Sequence, residues 1–398
     1  MSSRQRRPVR HARAKQPRGR SRIGERFEVE VGAIAHGGHV VARVPTGGVH
    51  EPTGEPETRV VFVRHAVPGE RVVVEITEGT DGDRFWRGDA VEVLAPSPDR
   101  VVPPCPYAGP GKCGGCDFQH VSPTAQRDLK AAVIREQLVR LARLDPTDPL
   151  LETRVEAVPG DEDGLRWRTR QSYARTADGS RAMRLHRSHD VIAVGDCLIA
   201  RTDAREPAPG TVTERVLGRD FTVATDGFWQ VHPGAPETLV TTVLDLLDPR
   251  PGERALDLYA GVGLFAAFLA DRVGSEGRVV AIEGDAQASA LSQGNVPSAE
   301  CSVGDVLPAL SSYPESFDLV VLDPPREGAR RAVVEEVVAR SPRAVAYVAC
   351  DPAALARDLA IFAEHGYRAA ALRAFDLFPM THHVECVALV VPSDATEG

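Results

Sequence analysis

Apolar residues recur at two different spacings along the chain, and the change of spacing divides it. From 23 to 96 they alternate: FEVEVGAIAHGGHVVARV and RVVFVRHAVPGERVVVEITEG place Phe27, Val29 and Val31, then Val61 and Val63, then Val72 and Val74, on one face of short strands. The Gly37-Gly38 pair supplies a turn, and the whole predicts a small β-barrel. Beyond 213, short apolar runs alternate with helical patterns, which predicts a doubly wound, Rossmann-like α/β sheet. Its strands are expected at ALDL, VVAIE (279–283), CSV (301–303), DLVVLD (318–323) and AVAYVA (344–349), followed by AALRAF and VECVALVV. Between the two regions, AQRDLKAAVIREQLVRLARL carries apolar residues at helical spacing and predicts a surface helix with one apolar stripe. The proline-rich LAPSPDRVVPP marks a boundary. The expected organisation is a tail at 1–22, a barrel at 23–96, a central α+β domain at 97–212 and a sheet domain at 213–398.

Charge changes the picture at one end only. The 398 residues carry a formal charge of -9, yet residues 1–26 hold ten Arg/Lys against Glu25 alone, leaving -18 for the rest. So charged a tail is expected to be disordered and to attract phosphates, or else merely to solubilise the chain. With no apolar run of membrane length and no apolar segment after the basic start, the expectation is a cytoplasmic protein without a membrane partner, most simply a monomer. The strand-like GLRWRTRQSYA and RAMRLHRSHDVIAVGDC add Arg166, Arg168, Arg170, Arg184 and Arg187, which would either track an RNA backbone or be solvated.

Seven cysteines in a chain without secretory marks favour metal or catalysis over disulfides. Cys105, Cys113 and Cys116, in CPYAGPGKCGGCDFQH, lie in a glycine-rich loop, with Cys197 of VGDCLIA as a distant fourth thiolate. Four thiolates suit zinc or an iron–sulfur cluster, and the spacing alone does not choose. Cys301 and Cys386 are expected to pack in the interior.

The sheet domain is organised around ALDLYAGVGLFAA, an apolar strand, a turn containing Gly261 and Gly263, and an apolar helix. The letters fit a dinucleotide fingerprint, but Asp257 would stand within a turn of an anionic pyrophosphate. A cationic ligand is better served there, and S-adenosylmethionine presents an ammonium and a sulfonium. Glu283 would then accept from the ribose hydroxyls and Asp305 from the adenine amino group, with Asp323 on the same rim. Helix capping is the structural alternative for such acids, good for Asp305 and Asp351 but not for all of them.

Cys350 follows an apolar strand and precedes DPAALARD, so helix amides are expected to lower its pKa. A last strand running antiparallel would bring Glu385 to the same rim. A thiol, a carboxylate and a methyl donor suffice to alkylate carbon 5 of a pyrimidine: the thiolate adds at carbon 6, and a base later removes the carbon 5 proton.

The barrel segment, through AIAHGGHVVAR and VFVRHAVPGERV, resembles a TRAM domain, a small RNA-binding barrel, in which exposed His36, Arg43, Arg64 and His65 would meet RNA. CPYAGPGKCGGCDFQH, FWQVHP, DLYAGVG, DPPREG with ACDPAALARD, and FPMTHHVE occur in that order, and with them the chain resembles the RNA uracil-C5 methyltransferase family. The resemblance implies Cys350 as nucleophile and Glu385 as base. It also implies contacts of Gln230, Tyr259, Glu283 and Asp323 with methyl donor or target uridine, a 4Fe-4S cluster on the four cysteines, and a structured rRNA or tRNA partner. Trp229 and Phe228 would stack a flipped base or pack in the core, and His232, His382 and His383 would line the rim. An RNA cytosine-C5 methyltransferase and a non-catalytic RNA-binding protein are the alternatives. The seven residues between Cys105 and Cys113 are more than the family usually has, and ACDP stands where SCNP is common. Asp351 thus sets a carboxylate beside the thiol, which raises a thiol's pKa.

Overall fold

The computed structural model describes residues 19–49 and 53–394, so the basic tail lies outside the described residues up to residue 18. The chain groups into two compact units, Met1–Ala33 with His39–Ser97, and Ile34–Gly38 with Pro98–Gly398.

The first unit is built from β1 (Arg26–Glu30), β2 (His39–Val49), β3 (Pro56–Arg64), β4 (Arg71–Glu78) and β5 (Phe85–Ala95), paired in the order β1-β4-β5-β3-β2. The chain after β1 closes the sheet. Val31 bonds to the Gly69–Glu70 backbone, whereas Gly32 and Ala33 bond to Val41 of β2. Alternation then drives Val40, Val44, Val61, Val63, Val72, Val74 and Trp86 into an interior with no more than 1% exposure. His36 and Arg43 are exposed as expected. Arg64 and His65 are not: both are buried, because Arg64 stands opposite the buried Asp89 of β5 and His65 turns into the left-handed region at φ 63°.

In the second unit, eight strands form one sheet. They are β6 (Val155–Ala157), β7 (Arg254–Leu258), β8 (Arg278–Glu283), β9 (Glu300–Val303), β10 (Leu319–Leu322), β11 (Ala344–Ala349), β12 (Tyr367–Asp376) and β13 (Glu385–Pro392). Their order is β9-β8-β7-β10-β11-β13-β12-β6. β7 to β11 pair in parallel, and β13 runs antiparallel to both β11 and β12. Alternate residues feed two cores. Ala255, Val279, Val321 and Val348 pack on one face with α2 (Ala235–Leu247) and α3 (Leu264–Val273). Leu256, Val280, Leu322 and Tyr347 pack on the other with α6 (Arg330–Ala339) and α7 (Pro352–Glu364). No helix among the described residues is long and apolar enough to cross a membrane.

The segments expected as 97–212 and 213–398 fall in one unit, since β6 is an edge strand of the main sheet and Ile134 and Leu138 join its core. The helix read as having one apolar stripe, α1 (Pro123–Gln137), also buries Gln126 and Lys130. Gln126 donates to the carbonyls of Phe118 and Val121 and accepts from the Met380 amide. Lys130 Nζ lies 2.6 Å from Asp376 Oδ1 and also donates to the Phe378 carbonyl. α1 thereby holds the first half of the loop that leads into β13.

Removing one member of a buried ion pair strands the other's charge, whereas replacing both with apolar residues is often nearly neutral. Lys130→Met is expected to lower the unfolding free energy by about 3–5 kcal/mol, and Lys130→Met/Asp376→Leu to recover most of it. Additive losses in urea unfolding would contradict this.

Candidate active site

Five strands deliver polar groups to one rim of the sheet. β7 runs through Asp257 into a turn in which Tyr259, Gly261 and Gly263 have φ of 65°, 55° and 85°. A Cβ on Gly263 would lie 2.6 Å from Ser292 Oγ, while one on Gly261 would meet nothing within 4 Å, so one glycine packs against α4 (Ala286–Asn295) and the other faces open space. Glu283, at the end of β8, accepts from the Gly261 amide at 2.8 Å and from the Asp285 amide at 2.7 Å. Asp257 is fully buried; Oδ2 accepts from the Ala266 amide at 2.8 Å, and Oδ1 has no partner. Burial, then Asp323 and Glu283, pushes its carboxyl up to about 8. Asp323, after β10, is pushed up to about 7 by burial and by Glu283. Asp305 precedes α5 (Val306–Leu310) without capping it through its side chain. An unpartnered buried carboxyl oxygen, an open glycine and crowded acids fit a cationic ligand with hydroxyls.

Cys350 and Glu385 are brought together by register. β11 pairs with β13 so that Ala349 stands opposite Cys386, and the next position on the rim sets Cys350 by Glu385. Glu385 is 3% exposed, and burial, followed by the Asp323 charge, raises its carboxyl well above the usual range against the pull of Arg326. Cys350 is half-buried, and its thiol moves opposite to expectation. Burial first, then Glu385, pushes it up to about 12; Arg326 opposes, and Asp351 contributes least among the named causes. The helix terminus does not offset desolvation here.

Cys350 opens on a cavity of about 210 Å³ lined also by Lys130, Arg326, Asp351, His382 and His383. His383 is pushed down to about 3 by burial and then by His382 and Arg326, and the guanidinium of Arg326 donates to its Nε2 at 3.3 Å. His382 Nδ1 lies 2.6 Å from Asp117 Oδ2. Gln230 is not brought here. It lines a second cavity, of about 400 Å³, with Arg201, Arg205, Trp229 and His232. Trp229 packs in the core, whereas Phe228 is 73% exposed. Of the arginines read as RNA contacts, Arg166 pairs with Asp196, Arg168 donates to the Arg170 carbonyl and Arg170 to the Gly227 carbonyl; Arg184 and Arg187 are exposed.

Cys105, Cys113, Cys116 and Cys197 are half-buried, and none of them is in a disulfide. Burial raises the Cys116 thiol, and the charges of the other three raise it further, so all four share one neighbourhood. Gln119 Nε2 donates to Cys116 Sγ at 3.5 Å and the Gly115 amide to Cys113 Sγ at 3.4 Å, bonds that favour thiolates. Among the described residues no three His, Cys, Asp or Glu side chains are placed to hold one metal ion. Cys386 is buried as expected, and Cys301 is half-buried 3.4 Å from Ser292 Oγ.

Sequence reading missed Arg326 and Asp358. Asp358 Oδ2 accepts from the Ala329 and Arg330 amides and the Tyr347 hydroxyl, and a Cβ on Gly328 would strike it at 2.6 Å. This buried anchor shapes the DPPREG loop that presents Arg326, and only the glycine hinted at it.

The TRAM domain family model matches residues 20–91, the methyltransferase small domain model 238–347, and the tRNA (uracil-5-)-methyltransferase model 308–392. A Streptomyces avermitilis protein named uncharacterized RNA methyltransferase is 44% identical, covering 93% of this chain and 99% of its own. A 23S rRNA (uracil(1939)-C(5))-methyltransferase of Thiobacillus denitrificans is 29% identical, covering 91% and 98%. The structure of Pyrococcus abyssi tRNA (uracil-54, C5)-methyltransferase with S-adenosyl-L-homocysteine shares the fold, with a TM-score of 0.64 at 20% identity, over 88% of this chain and 99% of that one.

Raised carboxyl pKa values make folding take up protons, so their stabilisation is lost as pH rises through the folded values. His383, with a depressed pKa, acts in the other direction but only below its ordinary value near 6.5. Between about pH 6.5 and 8 the unfolding free energy is expected to fall, and Asp257→Asn to remove up to about 1.4 kcal/mol per pH unit of that slope. Equal slopes for the two proteins would contradict the assignment.

Proposed function

Because this chain belongs to the RNA uracil-C5 methyltransferase family, we propose that it methylates carbon 5 of a uridine in structured RNA through a covalent adduct of Cys350. What supports this reading is the pairing of Ala349 with Cys386, which sets a thiol and a buried carboxyl side by side at the carboxyl end of the sheet. The glycine turn and the acids Asp257, Glu283, Asp305 and Asp323 bind the methyl donor at the adjoining strand ends, with Tyr259 contacting donor or uridine, whereas Gln230, in the second cavity, is left without that role. Cys350 gives up its proton to water as its sulfur bonds to carbon 6, and the electron pair of the carbon 5–carbon 6 double bond moves out to make the enolate. S-adenosylmethionine, when bound, supplies the electrophilic methyl group that the carbon 5 enolate takes up. Glu385 then removes the carbon 5 proton, the carbon–sulfur bond breaks with its electron pair leaving on sulfur, and the thiolate takes up a proton from water. A buried carboxyl with a raised pKa is a stronger base once ionised, and Arg326 stabilises its anion. Exposed Phe228 offers a flipped base a stacking face.

Cys105, Cys113, Cys116 and Cys197, which share one neighbourhood, would hold a 4Fe-4S cluster, with zinc as the alternative. The cluster's role is structural or RNA-positioning, because methyl transfer moves no electrons.

With undermethylated RNA and labelled donor, Cys350→Ala is expected to abolish 5-methyluridine. Glu385→Gln is expected to lower turnover at least about 100-fold and to leave a protein–RNA adduct that survives denaturation. Unchanged turnover in Cys350→Ala would overturn the mechanism. Protein purified without oxygen is expected to be brown, with iron and sulfide in equal amounts; colourless, zinc-containing protein would overturn the cluster.

A further inference from the structure

Asp351 directly follows the proposed nucleophile, and its two carboxylate oxygens have different partners. Oδ1 accepts from the Ala354 amide at 2.8 Å and so caps α7. Oδ2 lies 3.1 Å from Nε2 of His36, a residue 315 positions earlier in the chain. His36 belongs to Ile34–Gly38, the short segment that groups with the second unit, and it lines the same 210 Å³ cavity as Cys350 and Asp351. An asparagine would cap the helix equally well and carry no charge. With aspartate there, an anion stands next to the sulfur that must become a thiolate, unless a cation neutralises it.

We propose that His36 is a positioning residue for the methyl transfer: as an imidazolium it donates to Asp351, cancels the charge beside Cys350 and holds the carboxylate as the cap of α7. This rests on the reading of Cys350 as the nucleophile. The surroundings favour the charged form. The Asp351 hydrogen bond holds His36 above its ordinary value against burial and the Arg357 cation, with Glu136 of α1 adding attraction. His382, next to Gly38, is itself paired with Asp117. The thiol also faces Glu385, Asp323 and Arg326. As pH rises through the raised His36 value, Asp351 loses its counter-charge and the Cys350 thiol becomes harder to ionise.

The test follows iodoacetamide alkylation of the Cys350 peptide by mass spectrometry across pH, without RNA or donor, in full-length wild type, His36→Ala, Asp351→Asn and the double variant. His36→Ala is expected to slow alkylation about 3- to 10-fold near neutral pH, equivalent to a thiol shift of half a unit to one unit. In the Asp351→Asn background the same substitution is expected to change nothing. An equal slowing in both backgrounds, or none in either, would overturn the proposal. Methylation assays of the four proteins separate the two readings. Uridine methylation without the alkylation coupling defeats the role of His36 alone, whereas coupling without any methylation defeats the enzymatic reading and leaves the His36–Asp351 pair standing.

Discussion

β13 enters the sheet between β11 and β12 and runs against both, and this pairing is the constraint on which the candidate site depends. A parallel strand would put its amino end on the opposite rim from Cys350. Reversed, its first residue, Glu385, falls where the parallel strands end, one register step from Ala349–Cys386. The loop before it must then be held, and α1 does so through Gln126 on Met380 and Lys130 on Asp376 and Phe378. A buried lysine and a buried glutamine cost desolvation, and their hydrogen bonds offset it only because the loop supplies partners at each point.

Electrostatics at the rim follow from that packing. Asp257, Asp323 and Glu385 are all shifted upward, with burial the first cause in each case. The same burial raises Cys350, which makes Arg326 and the neutralisation of Asp351 the groups best placed to recover a thiolate. Arg326 is presented by a loop whose shape depends on Asp358, Tyr347 and Gly328.

Much of this was legible in the order of residues. The apolar runs marked the strands because fully buried strands read as continuous Val, Leu and Ala, and AVAYVA matched β11 residue for residue. An antiparallel last strand was expected, and the nearness of Cys350 and Glu385 followed from it. Less legible were effects set by partners far away in sequence. Arg64 looked like a surface cation until Asp89 stood opposite it. The thiol's pKa depended on its burial and on Glu385, not on the helix that follows it. Lys130 interrupted an apolar stripe without any local sign of Asp376, and β6 was too short, at three residues, to announce itself as part of the main sheet.

The central claim is that carbon 5 of uridine exchanges its proton for a methyl group under the joint action of Cys350 and Glu385. Its most direct measurement is tritium release from RNA whose uridines carry tritium at carbon 5, followed alongside methyl incorporation. One tritium released to water per methyl group transferred, dependent on the methyl donor, is the predicted result. Methyl incorporation with the tritium retained would contradict it.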